Sequence, residues 1–158
     1  MAKGYWLMKS EPHVFSLDDL KASPGSKTSW EGVRNYQARN FMRDRMKKND
    51  LVLFYHSSCD HVGVVGVAEV TKEAYPDHTA WEPDSRYYDP RSTPENPVWV
   101  MVDITWKKAF RRVVTLQQMR KVPNLRNMKA VQKGQRLSVQ PVTREEFEKV
   151  CEMGMPGA

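Results

Sequence analysis

The chain reads LVLFYHSSCDHVGVVGVAEV over residues 51–70, two apolar runs separated by a short polar stretch. Leu51–Tyr55 is typical of a buried strand, and Val62–Val70 predicts a second strand that pairs with it in antiparallel fashion. Gly63 and Gly66 interrupt the second run, as glycines do where a strand bulges or bends. This segment therefore predicts a small curved sheet or barrel.

Shorter elements on both sides complete a mixed pattern of strands and helices. Strands are predicted over residues 5–8, 98–106 and 137–140, and helices after Ser16, over residues 34–48, after Thr115 and after Thr143. No repeat, low-complexity run or linker divides the sequence. We therefore expect one α+β domain over residues 1–158, with a curved or barrel-like sheet flanked by short helices.

The composition is that of a soluble globular protein, with 40% hydrophobic and 28% charged residues. A net charge of +6 favours an anionic partner. Two cysteines, Cys59 and Cys151, show neither a CxxC pair nor a zinc-ligand spacing, so no metal is expected. The sequence lacks a glycine-rich phosphate loop, a signal peptide and a membrane-spanning run, so we expect no cofactor and no membrane association. A cytoplasmic protein, or a nuclear one in a eukaryote, is the expectation.

The segment WEGVRNYQARN, Trp30–Asn40, concentrates the side chains that recognise planar polar ligands. Trp30 has a flat face for stacking, and Gly32 allows close backbone approach. Arg34 and Asn35 have donors and acceptors that match a base edge or a phosphate. The alternative is structural, with Trp30 as a core anchor and Gly32 in a turn before the helix. Arg39 and Arg43 continue the basic side chains along that helix, on a face that is either solvated or in contact with phosphate.

Three polar segments follow or flank the predicted strands, and we expect them to meet at one end of the sheet. They are Lys9–Glu11, Trp30–Asn35 and Tyr55–Ser57. A pocket there would combine aromatic walls with polar groups, which suits a nucleobase. The long segment from Tyr75 to Pro97 is predicted to be a functional loop in which Tyr87 or Tyr88 either closes over a base or anchors the loop.

Catalysis is the competing interpretation of the same residues. Lys9 and Glu11 are spaced for acid–base work if their pKa values are tuned, but such a pair is also an ordinary ion pair. His56 and Ser57 are adjacent on a strand, so their side chains are expected to point to opposite faces, and no nucleophile elbow is present. These patterns predict a binding protein rather than an enzyme.

The chain resembles the EVE domain family in a series of motifs that occur in family order over nearly its whole length. The motifs are YWLMKSEP (5–12), WEGVRNYQARN (30–40), FYHS (54–57), YYDP (87–90), WVMVD (99–103) and RLSVQPV (136–142). The family often has Trp-Asp-Gly where this chain has Trp30-Glu31-Gly32. The resemblance implies a PUA-like fold, related to YTH and ASCH domains, and recognition of a modified base in DNA or RNA.

On this resemblance Trp30 would form a wall of the pocket, and Lys9, Ser10, Asn35 and His56 would supply polar contacts. Val33, Tyr55 and Tyr88 are further base-binding candidates. Phosphate contacts are expected from Arg34, Arg39 and Arg43. The base implied is a methylated or hydroxymethylated cytosine. The alternative function is a hydrolase that acts on a modified nucleoside, as some ASCH relatives do.

Overall fold

The computed structural model describes residues 3–134 and 137–156, and its framework is a six-stranded mixed sheet. The strands are β1 (Tyr5–Ser10), β2 (Lys27–Ser29), β3 (Leu51–His56), β4 (Gly63–Pro76), β5 (Val100–Thr115) and β6 (Val139–Pro141). Four helices flank it: α1 (Leu17–Ala22), α2 (Tyr36–Asp44), α3 (Leu116–Arg120) and α4 (Arg144–Gly154). The predicted α+β class is confirmed.

The strand order is β2-β5-β4-β3-β1-β6, with β1 and β3 parallel and the other neighbouring pairs antiparallel. The predicted antiparallel pairing of the two apolar runs is therefore confirmed. Because β1 and β3 run in the same direction, their carboxyl ends meet, with Ser10 opposite His56. This places the polar segments after the two strands side by side.

The sheet is open, so of the two predicted forms, a curved sheet or a barrel, the chain does not form the barrel. Its edges, β2 and β6, are each three residues long, and within the described residues each pairs with one neighbouring strand. The predicted irregularity at Gly66 is present, since the register of β4 shifts against both β3 and β5 around it. Bulges of this kind bend and twist the sheet without closing it.

Two hydrophobic layers cover the two faces of the sheet. On one face, Leu20 of α1 and Met42 of α2 pack against apolar side chains of the sheet such as Phe54. On the other face, Met119 of α3 and Val150 of α4 pack against side chains that include Leu7 and Leu53. Within the described residues, no helix has the length and apolar character needed to cross a membrane.

Capping chemistry sets the helix boundaries largely as the sequence predicts. Ser16, Thr115 and Thr143 each form a capping box at the start of α1, α3 and α4. Helix α2 is shorter than the predicted 34–48, because Asn35 caps its start and the helix ends at Asp44. Strand β5 extends beyond the predicted end at Trp106 and continues to Thr115.

Candidate functional site

A cavity of about 500 Å³ opens at the carboxyl ends of β1 and β3. This volume lies within the range of roughly 300–1,000 Å³ that small-molecule sites occupy. Its lining comes from Lys9, Ser10 and Glu11, from Val14 and Phe15, from Thr28–Arg34, from Ser57, from Arg86 and Tyr87, and from Ser138. The structure thus brings distant polar segments together around Trp30.

Trp30 forms an aromatic part of the lining and is held from two directions. Its backbone N–H donates to the carbonyl of Val102 at 2.7 Å, which extends the pairing of β2 with β5. Its ring packs edge-on against Phe54, with centroids 5.6 Å apart and planes at 89°. Phe15 and Val33 are further apolar lining residues that pack against the same core. The ring is therefore both a core contact and a cavity wall.

Gly32 allows the loop to pass directly against Tyr87. Its φ of +84° lies in the left-handed region, and a Cβ at this position would be 2.6 Å from carbons of the Tyr87 ring. The Gly32 N–H donates to Asp77 at 2.9 Å. A glycine is required here both by the backbone conformation and by the aromatic ring beside it.

Arg34 ties the Trp30 segment to the long loop between β4 and β5. Its Nε donates to the Tyr87 carbonyl at 3.0 Å, and its Nη2 donates to the same carbonyl at 2.6 Å and to Thr79 Oγ1 at 3.4 Å. Its Nη1 donates to the Val33 carbonyl at 2.9 Å and to Asp77 at 3.0 Å. A guanidinium has five N–H donors, so all of them are used inside the protein.

Asp77 is the acceptor at the centre of this network. Burial acts to raise its pKa, but hydrogen bonds from Thr79, Gly32 and Arg34 outweigh that effect and hold the pKa below its ordinary value of 3.8. The carboxylate is therefore ionised at neutral pH. Its charge is compensated by Arg34, whose side chain is 23% exposed while that of Asp77 is fully buried.

The long loop is held by its own contacts. Asp89 accepts a hydrogen bond from Trp99 Nε1 at 2.8 Å, and its backbone N–H donates to the carbonyl of Ala80 at 2.7 Å. The hydroxyl of Ser92, itself buried, accepts from the Val98 N–H at 2.9 Å. Together with the Arg34 contacts, these bonds fix the backbone that presents Arg86 and Tyr87 to the cavity.

The cavity lining contains charges of both signs. Burial and the nearby charge of Asp77 raise the pKa of Glu31 above its ordinary value of 4.5. Burial also lowers the pKa of Lys9, whose Nζ lies 5.5 Å from the centroid of the Tyr55 ring. A carboxylate and several hydroxyls around an apolar wall can satisfy a ligand that has both donors and acceptors on one edge.

Five of the predicted base-binding residues line this cavity, and four do not. Those that line it are Lys9, Ser10, Trp30, Val33 and Arg34. Ser10 also has a local role, since its hydroxyl donates to the Phe15 carbonyl at 2.6 Å and holds the turn after β1. Whether these residues contact a ligand stays a prediction.

Asn35 and His56 form hydrogen bonds with helix backbones, and their predicted contact with a base stays a prediction. The Asn35 side chain accepts from the Ala38 N–H at 3.0 Å and caps α2. His56 Nε2 accepts from the Leu17 N–H at 3.1 Å at the start of α1. Burial lowers the pKa of His56 below 6.5, against the opposing effect of Asp18 and Asp19, so the ring is neutral at pH 7.

The two predicted tyrosines also lie outside the main cavity. Tyr55 is buried in the hydrophobic layer on the opposite face of the sheet. Tyr88 is 45% exposed and lines a smaller neighbouring cavity, whereas its neighbour Tyr87 lines the main one. Because His56 is absent from the cavity lining while Ser57 is present, the pair does not form a nucleophile–base arrangement there.

The three arginines predicted to contact phosphate all have partners within the protein. Arg39 donates to the Val98 carbonyl and to Asn40, and Arg43 forms a two-point ion pair with Asp44 on an exposed surface. Arg34 is saturated as described above. A phosphate would compete with these partners, so phosphate binding by the three residues stays a prediction.

Several lining residues were not selected as base contacts from the sequence, namely Glu31, Arg86 and Tyr87. Glu31 lies inside the sequence cluster around Trp30. Arg86 and Tyr87 are contributed by the loop, and only tertiary contacts with Gly32 and Arg34 bring them to the site. In the part of the chain that the structure describes, no group of three or more His, Cys, Asp or Glu side chains is placed to hold a metal ion.

Comparison with known proteins gives a consistent family match. A family model for the EVE domain matches residues 4–153. Human thymocyte nuclear protein 1 is 43% identical over 166 residues, covering 94% of this chain and 73% of the human protein.

Solved structures agree with this match. A Pseudomonas syringae protein superposes with a TM-score of 0.91 and 46% identity, covering 96% of this chain and 99% of that one. The human protein in complex with DNA that contains 5-methylcytosine superposes with a TM-score of 0.91 and 42% identity, covering 99% and 100%. An ASCH protein mutant from Zymomonas mobilis superposes with a TM-score of 0.54 and 9% identity, covering 96% of this chain and 99% of that one. This likeness concerns the fold alone.

Proposed function

The chain belongs to the EVE domain family, and we propose that it is a non-catalytic DNA-binding module that holds a modified cytosine in the cavity beside Trp30. Support comes from the human relative, whose structure contains DNA with 5-methylcytosine and which is 42% identical to this chain. A nuclear location, as the name of that relative indicates, is the expectation if the chain comes from a eukaryote.

The observation that carries the proposal is the combination of groups in the 500 Å³ cavity. Trp30 offers an aromatic face, and stacking of a base on an aromatic side chain contributes roughly 1–3 kcal/mol. Phe15 and Val33 supply the apolar surface that a methyl group on the pyrimidine ring requires.

The polar edge of cytosine has one donor and two acceptors, and the lining offers partners for both. In this proposal the Glu31 carboxylate accepts from the exocyclic amino group, as carboxylates do with cytosine elsewhere. Hydroxyl groups of the lining, which includes Ser29 and Ser57, donate to the ring nitrogen or to the carbonyl oxygen. Extracting the base from a duplex costs a few kcal/mol, which stacking and these hydrogen bonds must offset.

The test is a calorimetric titration of the protein with matched oligonucleotides that differ at one cytosine, which is unmodified, methylated or hydroxymethylated. DNA and RNA versions, single and double stranded, are compared. The proposal predicts tighter binding of a modified DNA strand than of its unmodified partner. Equal affinity for all cytosines would reject base recognition, and a preference restricted to RNA would reject DNA as the partner.

Hydrolysis of a modified nucleoside is a second candidate, favoured by one observation. Lys9 and Glu11 both line the cavity, and burial lowers the pKa of Lys9 below its ordinary value of 10.5, which is the direction that favours the free amine. Incubation of the protein at high concentration with acylated and alkylated cytidines tests this. Product that forms with the wild type and not with Lys9→Ala supports catalysis, and no product over a long incubation rejects it for those substrates.

A further inference from the structure

A second cavity of about 250 Å³ adjoins the main one. Arg34, Arg86 and Tyr87 line both cavities, so the two share a wall. Tyr88 and Arg91 line the second cavity and are absent from the lining of the main one. A ligand longer than one nucleotide that occupies the main cavity therefore has a neighbouring concave surface to continue into.

Arg86 is the cation at this shared wall that the protein leaves available. Arg34 uses its five donors internally, and Arg91 donates to both oxygens of Asp89, at 3.1 and 2.9 Å. The exposed Arg86 guanidinium stacks over the Tyr87 ring, with 5.2 Å between its central carbon and the centroid. Among the residues that the structure describes, Arg86 has no hydrogen-bonded or ion-paired partner, so its planar donors are free for an anion.

Tyr88 offers an aromatic surface on a fixed backbone. Its side chain is 45% exposed, one of three large apolar side chains with comparable exposure among the described residues. Its backbone N–H donates to the Ser85 carbonyl at 3.2 Å, and the next N–H, of Asp89, is bonded to Ala80. An exposed ring on a backbone held in this way is suited to stacking with a base, since every base has a π face.

We propose that the second cavity is a subsite for the nucleotide next to the modified one, with Arg86 on the phosphate that joins the two and Tyr88 stacked on the neighbouring base. This inference rests on the proposed function, because it needs the modified base in the main cavity. A guanidinium recognises a phosphate through paired donors, and Arg86 presents them between the two cavities. In this proposal, residues 85–88 of the loop contact the strand next to the modified base.

The experiment compares binding of two probes, free 5-methyl-2′-deoxycytidine and a single-stranded oligonucleotide with one central 5-methylcytosine. Arg86→Gln is expected to weaken oligonucleotide binding about tenfold, to weaken nucleoside binding much less because the nucleoside carries no phosphate, and to reduce the slope of log K against log salt by about one. Arg86→Lys keeps the charge and therefore the slope. Arg126→Gln is the matched control, because Arg126 is an exposed arginine beside the layer over the opposite face of the sheet. This variant is expected to show the same salt slope as the wild type.

Tyr88 is tested with the same probes. Tyr88→Ala is expected to weaken oligonucleotide binding about fivefold or more while nucleoside binding stays unchanged, and Tyr88→Phe keeps the ring and restores the affinity. If the wild type prefers the modified strand but Arg86→Gln and Tyr88→Ala bind it as the wild type does, the subsite is refuted and the proposed function stands. If the wild type shows no preference for the modified strand, both proposals fail.

Discussion

The Arg34 guanidinium lies 3.0 Å from the Asp77 carboxylate, and the same carboxylate oxygen accepts the N–H of Gly32 at 2.9 Å. The two charged residues are 43 positions apart in the sequence. Their contact fastens the segment that contains Trp30 to the loop that contributes Arg86 and Tyr87. The shape of the cavity therefore depends on an ion pair that need not touch the ligand.

Replacing Asp77 by Ala is expected to destabilise the fold by about 3 kcal/mol, because it leaves the partly buried Arg34 without its counter-charge. The measurement is urea denaturation followed by circular dichroism. Asp44→Ala, which breaks the exposed ion pair with Arg43, is the matched control and should have little effect. An equal decrease in the free energy of unfolding in the two variants would contradict the structural role of Asp77.

Gly32→Ala and Gly25→Ala separate backbone strain from contact with Tyr87. Both glycines have positive φ, +84° and +67°, so each alanine is expected to cost about 1–2 kcal/mol for its conformation. Only at Gly32 would the added Cβ meet the Tyr87 ring, whereas nothing lies within 4 Å at Gly25. Thermal melts should show a larger fall in melting temperature for Gly32→Ala than for Gly25→Ala, and Gly32→Ala should also lose nucleic-acid binding. Similar falls in melting temperature for the two variants, together with intact binding by Gly32→Ala, would contradict this packing.

His56 makes stability depend on pH below neutrality. Its pKa in the folded state is lowered below 6.5 by burial, so the unfolded chain binds a proton more readily than the folded one. The stabilising contribution is therefore complete above pH 6.5 and is lost as the pH falls through the lowered folded-state pKa. His56→Gln keeps an acceptor for the Leu17 N–H but does not titrate in this range. The contribution of His56 is therefore measured by the difference in free energy of unfolding between wild type and variant, taken from urea melts at pH 7 and at pH 5. A difference that is the same at both pH values would refute the pH dependence.

Glu31 should give base recognition its own pH dependence. Its pKa lies above 4.5, and the ionised carboxylate is the form that accepts from a cytosine amino group. Binding of methylated DNA is thus expected to weaken as the pH falls toward the raised pKa of Glu31. Glu31→Gln retains an acceptor oxygen that does not titrate, so its affinity should change less over the same range. Parallel pH profiles for the two proteins would exclude Glu31 from the contact.

Local patterns predicted the elements well, because caps and alternation act over a few residues. Ser16 and Thr143 begin helices where the sequence indicates, and the apolar runs that start at Leu51 and Val62 pair in antiparallel fashion. The cavity around Trp30 was also predicted, since β1 and β3 end in polar segments. The sequence left open whether the sheet is curved or closed into a barrel, because pairing of the edge strands is a long-range property.

Individual roles in the site were harder to predict because one side chain serves several purposes. Asn35 and His56 have the chemistry of base contacts, but nearby helix N–H groups take their acceptors. Tyr87 and Tyr88 are equivalent in sequence, and only the space beside Gly32 decides which ring lines the main cavity. Such choices depend on tertiary packing, which periodicity and spacing do not encode.

The most direct test of the account is the ratio of affinities for methylated and unmethylated DNA strands in wild type, Trp30→Phe and Trp30→Leu, at 50 and 200 mM salt. Both variants keep an apolar side chain against Phe54, but only Phe retains an aromatic face. Total affinity should fall with salt for all three proteins, since phosphate contacts release counterions. We expect the preference for the methylated strand to persist at both salt concentrations in wild type and Trp30→Phe and to disappear in Trp30→Leu. An unchanged preference in a folded Trp30→Leu protein would contradict it.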